Sequence, residues 1–377
     1  MNIVMLGHKR IPSREGGIEV VVEELATRMV AEGHAVTCLN RAGKHVSGEE
    51  DLSAKLREYR GIRLRRVAAV NKKGFAAMTA SITGAIVAAF GKYDIVHFHA
   101  EGPCAMMWLP KLFGKRCIAT IHGLDHRRAK WGFFSRAYIM LGEKCAAKYA
   151  DEIIVLSRGV QQYFQDTYGR ETVFIPNGVD APECRNADLI TRKYGLKKDD
   201  YILFLGRLVP EKGITYLIDA FAKVRTNKKL VIAGGASDSD AFAENLKERA
   251  QLEDSRIFFT GFVQGQLLEE LYSNAYLYVL PSDLEGMPLS LLEAMSYGNC
   301  CVTSDIEECA AVTGEHGLTF PRGNVQELAA LLQRLCDSPE EVARFRDTAA
   351  DYITAAYNWE DIARKTMDLY EGKVAPL

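Results

Sequence analysis

Apolar and polar positions along this chain alternate in two rhythms. Short runs of aliphatic and β-branched residues read as strands: NIVMLG (2–7), AVTCLN (35–40), IRLRRV (62–67), DIVHFH (94–99), CIATIH (117–122), EIIVLS (152–157) and TVFIP (172–176). Most are separated by stretches with apolar residues at helical spacing, of which IEVVVEELATRMVAEG (18–33) is the clearest. The rhythm restarts with YILFLG (201–206), KLVIAGG (229–235), RIFFTG (256–261), YLYVLP (276–281) and NCCVTS (299–304). The turn-rich PNGVDAPECRNADL separates the two series. This pattern predicts an α/β protein of two Rossmann-like, doubly wound domains joined near 177–190. Such open sheets bind ligands beyond the carboxyl ends of their strands, and two of them facing each other make a cleft. One segment, FAAMTASITGAIVAAFG (75–91), carries no charge. At about 17 residues it is at the short limit for a membrane span. A core helix is expected there, with an interfacial helix beside Lys72 and Lys73 as the alternative.

Composition narrows the class. The chain has 377 residues, 48% hydrophobic and 25% charged, which fits a soluble globular protein of two or three domains. No repeat period or low-complexity tract interrupts it. MNIVMLGHKR enters a strand without the basic lead-in of a secretory signal, so none is expected. The nine cysteines form no C-x-x-C pair, which favours free thiols in a reducing cytoplasm and argues against zinc. The net charge of −2 hides an asymmetry: residues 1–178 hold 26 Lys+Arg against 17 Asp+Glu, so the front is basic and the remainder acidic. A basic front suits an anionic membrane surface or a phosphorylated acceptor. The basic residues lack the aromatic interleaving of a nucleic-acid surface, so no nucleic-acid partner is expected.

The chemistry concentrates at strand ends. GHKRIPSREGG (7–17) leads from a strand into a helix, and Gly16 and Gly17 at the helix start can offer backbone N–H groups to an anion. The loop is not G-x-G-x-x-G and gives no support to a dinucleotide. GRLVPEKG (206–213) occupies the matching place in the second series, where Arg207 and Lys212 could hold a diphosphate. EGMPLSLLEAM (285–295) follows a strand: Glu285 falls in the loop, and Glu293 about one turn into the next helix. A carboxylate among apolar residues needs donors, and paired sugar hydroxyls suit it. The bland alternative for Glu285 is a helix-end charge, which does not explain Glu293 among Leu291, Leu292, Ala294 and Met295. His122 ends a strand of the first series in ATIHGLDHRRAKW (119–131). HGLDH invites a metal reading, but no second ligand cluster joins it, and DSD (238–240) lies in a polar loop, so no metal is expected.

Taken together these motifs resemble the retaining glycosyltransferases of family 4. EGMPLSLLEAM is similar to that family's E-x7-E signature, GRLVPEKG to its donor-phosphate motif, and ADEIIVLS (150–157), IPNGVD (175–180) and TGFV (260–263) to its other landmarks, in order. The opening loop and HGLDHRRAKW resemble a bacterial polysaccharide-assembly subgroup that includes rhamnosyltransferases. DHRR departs from the acidic–Trp pair often found there, which leaves the acceptor and the donor sugar open. The resemblance implies a GT-B fold: an acceptor-side domain over 1–177, with a C-terminal helix (359–377) packing back on it, and a sugar-nucleotide domain over 190–358. It implies that Glu293 holds the ribose, Glu285 the transferred sugar, and Arg207 and Lys212 the diphosphate, aided by Gly16, Gly17, Gly286, Met287 and the N–H of Leu289. Phe262 and Val263 would lie against the base. His122 would act near the reacting centre, with Arg14, Asp125, Arg127 and Arg128 on the acceptor side. The implied activity is metal-independent, cofactor-free, retaining transfer from a nucleotide-sugar, a UDP-sugar by preference, to a glycan or lipid-linked saccharide. The setting would be the cytoplasm at the inner membrane face, as monomer or homodimer, in bacterial surface polysaccharide synthesis. Transfer to a small soluble metabolite, a sugar-nucleotide epimerase, a phosphorylase and a non-catalytic sugar-nucleotide-binding subunit are the alternatives.

Overall fold

The computed structural model describes residues 1–42, 56–70, 75–128, 131–236 and 240–373. The chain divides into two compact units, Met1–Asn177 with Trp359–Leu377, and Gly178–Asn358. The turn-rich 178–189 belongs to the second unit.

The first unit is built on β1 (Asn2–Leu6), β2 (Ala35–Arg41), β3 (Glu58–Tyr59), β4 (Ile62–Val67), β5 (Ile95–His99), β6 (Arg116–Ile121), β7 (Glu152–Val155) and β8 (Val173–Phe174), in the spatial order β3-β4-β2-β1-β5-β6-β7-β8. All pairings are parallel except β3 with β4 at the edge. Central strands of a parallel sheet are covered on both faces and therefore read as unbroken apolar runs, as Ile3–Leu6 does, while β5 is buried throughout but carries His97 and His99. The uncharged helix Phe75–Phe90 buries a stripe of small residues, Ser81, Gly84, Ala85, Ala88 and Ala89. A Cβ at Gly84 would lie 3.1 Å from Leu6 Cδ1, so glycine is what lets helix and sheet approach this closely. The expected core helix is thus a covering helix, with Phe75, Ile86 and Phe90 exposed on its other side. Lys72 and Lys73 lie outside the described residues. No described helix is long and apolar enough to cross a membrane.

Helix Trp359–Tyr370 packs on helix Gly17–Ala31 in the first unit. Arg28 Nε donates to Glu360 Oε1 at 2.9 Å, Arg116 Nη2 to the Leu369 carbonyl at 3.0 Å, and the Tyr370 hydroxyl lies 2.6 Å from His97 Nδ1 on β5.

The second unit holds β9 (Tyr201–Leu205), β10 (Lys229–Ala233), β11 (Ile257–Gly261), β12 (Leu277–Leu280), β13 (Cys301–Ser304) and β14 (Leu318–Phe320) in the order β11-β10-β9-β12-β13-β14. All pairings are parallel. Winding runs outward from β9 to one side and then from β12 to the other. The crevice between β9 and β12 is therefore the topological switch point, where ligands of such sheets bind. All nine cysteines are free, most of them buried.

Candidate active site

The switch point of the second unit brings two sequence motifs together. After β9 the chain runs through 206–209 into a short turn, Pro210–Lys212, and then into helix Ile214–Phe221. Gly213 joins turn to helix at φ +63°, and a Cβ there would fall 1.9 Å from the Pro281 carbonyl oxygen. Only glycine permits this approach of the β9 loop to the β12 loop. The contact is extended by Asp283 N donating to Glu211 O at 2.8 Å and the Tyr216 hydroxyl to Asp283 Oδ2 at 3.1 Å. As a result Lys212 Nζ sits 2.5 Å from Glu285 Oε1, with both side chains about nine-tenths buried. The Ser282 hydroxyl donates to the same oxygen at 2.6 Å. Arg207 is half-buried and stands five residues before Lys212 in the same loop.

Gly286, Met287 and Pro288 are buried and lead into helix Leu289–Ser296, whose N-cap is Pro288. Proline has no side-chain acceptor to cap the first turn, so the Leu289 end is suited to an anion. Glu293 lies one turn in and is half-buried. The Tyr272 hydroxyl donates to its Oε2 at 3.1 Å, and Tyr272 stacks on Tyr297 with centroids 5.3 Å apart. Phe262 and Val263 follow β11, Phe262 half-buried and Val263 buried.

In the first unit the loops after β1, β5 and β6 converge. A Cβ on Gly7, at φ +110°, would lie 2.1 Å from the His99 carbonyl oxygen, which fixes the β1 loop against the end of β5. Asn40 pins the same loop, accepting from Ile11 N at 3.1 Å and donating to Ile11 O at 2.9 Å. Gly16 is the extended N-cap of helix Gly17–Ala31, and the buried Glu19 in its first turn accepts from Lys9 N at 2.7 Å. Arg14 is exposed beside it. His122 Nε2 stands 3.1 Å from His99 Nδ1. Loss of solvent pushes the His122 imidazole down to about 4 against the opposing pull of Asp125, so it is neutral at pH 7. Asp125 Oδ1 accepts from Arg128 Nε at 2.8 Å, and the exposed Arg127 lies over the Tyr163 ring at 5.2 Å.

The sequence-predicted residues thus fall into two groups, one per unit: Gly16, Gly17, Arg14, His122, Asp125, Arg127 and Arg128 in the first, and Arg207, Lys212, Phe262, Val263, Glu285, Gly286, Met287, Leu289 and Glu293 in the second. The Lys212–Glu285 pair links the two motifs of the second group. Sequence reasoning missed Ser282, although it stands three residues before Glu285 in the same loop. It also missed Tyr272, whose meeting with Glu293 has no local signal. Asp238 lies outside the described residues.

Residues 15–182 match Glycosyltransferase Family 4, and residues 186–352 match Glycosyl transferases group 1. An uncharacterized glycosyltransferase of Methanocaldococcus jannaschii is 24% identical over 98% of each chain. The UDP-Gal:alpha-D-GlcNAc-diphosphoundecaprenol alpha-1,3-galactosyltransferase of Escherichia coli is 28% identical over 65% of this chain and 67% of its own. Among solved structures, HepE of Anabaena, in complex with UDP and glucose, aligns over 99% of this chain and all of its own, with a TM-score of 0.81 at 16% identity.

Proposed function

Because the chain belongs to the glycosyltransferases, family 4 in its first unit and group 1 in its second, with a GT-B fold, we propose that it is a retaining, metal-independent transferase. It uses a nucleotide-sugar donor, in this reading a UDP-sugar, and delivers the sugar to a glycan or lipid-linked saccharide in bacterial surface polysaccharide synthesis. The observation that carries the reading is the Lys212–Glu285 pair at the switch point of the second sheet. A sugar nucleotide carries hydroxyls and a charged phosphate on adjacent atoms. An ammonium and a carboxylate held side by side match that pattern, the ammonium toward the phosphate and the carboxylate toward the hydroxyls.

In this reading negative charge develops on the departing nucleoside diphosphate, and Lys212 and Arg207 meet it. Glu285 and Ser282 keep Lys212 oriented, so little reorganisation accompanies bond breaking. The N–H groups at Gly286, Met287 and Leu289 add dipoles from the helix start. Glu293, steadied by Tyr272, receives the ribose hydroxyls, and Phe262 and Val263 receive the base. On the first unit, Gly16 and Gly17 carry helix-start N–H groups, and neutral His122 offers a hydrogen bond rather than a charge. Arg14, Asp125, Arg127 and Arg128 face the acceptor. Same-face attack, with the leaving phosphate taking the acceptor proton, accounts for retention without a protein nucleophile.

The test separates nucleotide from sugar. Glu293→Ala is expected to weaken UDP itself by roughly 10- to 100-fold, as for a lost hydrogen bond to a charged group. Glu285→Ala is expected to leave UDP binding within a few-fold and to reduce turnover instead. Turnover of the wild type should be the same with and without added magnesium or manganese. Equal UDP affinity in wild type and Glu293→Ala, with only a lower melting temperature, would assign Glu293 a structural role.

A further inference from the structure

A second cluster of chemistry-bearing side chains lies in the first unit, and none of its three members belongs to the donor-binding set. Glu101 opens the short helix Glu101–Cys104, Glu143 lies within helix Phe133–Tyr149, and His126 lies in the turn Asp125–Arg127 after β6. The two helices pack against each other at Gly142, where a Cβ would fall 2.0 Å from the Glu101 carbonyl oxygen. That approach brings both carboxylates into one apolar interior, and the side chains of Glu101 and Glu143 are fully buried.

One oxygen of each carboxylate is accounted for. Glu101 Oε2 accepts from Asp125 N at 2.8 Å, and Glu143 Oε1 accepts from the Tyr163 and Tyr168 hydroxyls at 2.8 and 2.5 Å. The other oxygens, Glu101 Oε1 and Glu143 Oε2, and His126 Nδ1 are buried and have no hydrogen-bond partner outside their own trio. These three atoms lie within 4.8 Å of one another. His126 Nδ1 is 3.1 Å from Glu143 Oε2 and 3.7 Å from Glu101 Oε1. Zinc bonds to nitrogen and oxygen of about 2.0–2.2 Å, tetrahedrally arranged, place ligand atoms roughly 3.3–3.6 Å apart, and the two observed separations bracket that spacing.

We propose that Glu101, His126 and Glu143 form a binding site for one divalent transition-metal ion of the zinc type. Two buried carboxylates demand positive charge from somewhere. With a cation, the hydrogen bonds from Asp125 N, Tyr163 and Tyr168 are the outer partners that orient carboxylate ligands. The ion ties the loop carrying His122, Asp125, Arg127 and Arg128 to two helices. Its role is to hold that loop, and it departs from the expectation of no metal, since Glu101 and Glu143 are the second ligand cluster that the sequence around His126 did not show. The assignment rests on side-chain geometry alone and is independent of the transferase reading.

The experiment uses the full chain, stripped with a strong chelator under mild denaturant and refolded, then titrated with zinc or cobalt chloride. About one equivalent is expected per chain by elemental analysis. Cobalt should give visible absorption bands, and zinc should raise the melting temperature. His126→Ala should abolish the cobalt spectrum. Tyr168→Phe keeps all three ligands and should weaken zinc by about tenfold, so it answers even where His126→Ala fails to fold. A wild-type chain that binds neither ion and melts at the same temperature with and without zinc overturns the site. Equal metal content in wild type and His126→Ala does the same.

Discussion

Four histidines of the first unit stand where an imidazole cannot keep a proton. Burial pushes His8 and His122 down to about 4 and His97 to about 3, and lowers His99 well below its ordinary value. His97 is held between the Thr120 hydroxyl at 2.7 Å and Tyr370, and His8 against Asn40 at 3.1 Å, contacts that a neutral ring can make through one donor and one acceptor nitrogen. The sign follows from the direction. Between the unfolded value of about 6.5 and the folded values, the unfolded chain binds protons that the folded chain refuses, so stability is full above pH 6.5 and falls as pH drops toward 4. Each histidine contributes a slope of up to about 1.4 kcal/mol per pH unit in that window. Urea unfolding between pH 7.5 and 4.5 should show the midpoint falling steeply below 6.5, and a flat profile would contradict this account of the histidines.

At the scale of elements, the site depends on two loops that touch through a glycine. Gly213→Ala places a methyl group against Pro281 O and forces a side chain into positive φ, so it should part the β9 and β12 loops and displace the adjacent Lys212 from the diphosphate position. A loss of stability of more than about 1 kcal/mol is expected, together with weaker UDP binding. Gly195 has a similar φ of +64° with open space around it, so Gly195→Ala should cost about 1–2 kcal/mol and leave UDP binding alone. Equal UDP affinity in the two variants would show that the loop contact does not position the site. The same scale explains what the sequence made legible. Buried parallel strands such as β1, β9 and β12 announce themselves as apolar runs, and loops at their carboxyl ends announce the ligand edge, which made Lys212 and Glu285 readable. The strands β3 and β14 escaped because two or three residues at a sheet edge carry no period. Tyr272 beside Glu293, and Glu101 and Glu143 around His126, escaped because their meeting depends on how helices pack, and at Gly142 on one absent side chain.

For the whole molecule, the basic front half acquires a surface. Helices Phe75–Phe90, Glu101–Cys104, Trp108–Leu112 and Phe133–Tyr149 pack as neighbours and carry only two acidic residues, Glu101 and Glu143, both buried. Their outer positions combine exposed Phe75, Phe90, Leu112, Phe133 and Phe134 with exposed Arg136, Lys144 and Lys148. Aromatic side chains set among cations suit an anionic bilayer, each cation contributing about 1 kcal/mol near such a leaflet. Co-sedimentation with anionic liposomes should occur at low salt, weaken at high salt, and fall further in Phe133→Ser/Phe134→Ser. Failure to bind at low salt, with efficient transfer to a water-soluble acceptor, would remove the membrane from the proposed function and leave the transferase intact. The path of the chain has a different consequence, in the order of synthesis. Unit two is one uninterrupted stretch, closed where Val179 N meets Tyr357 O at 2.7 Å. Unit one is begun first but lacks the helix Trp359–Tyr370 until all of 178–358 has been made, a wait of roughly 10–40 s at ordinary elongation rates. During that interval His97, in the middle of the sheet, has no Tyr370 to bond.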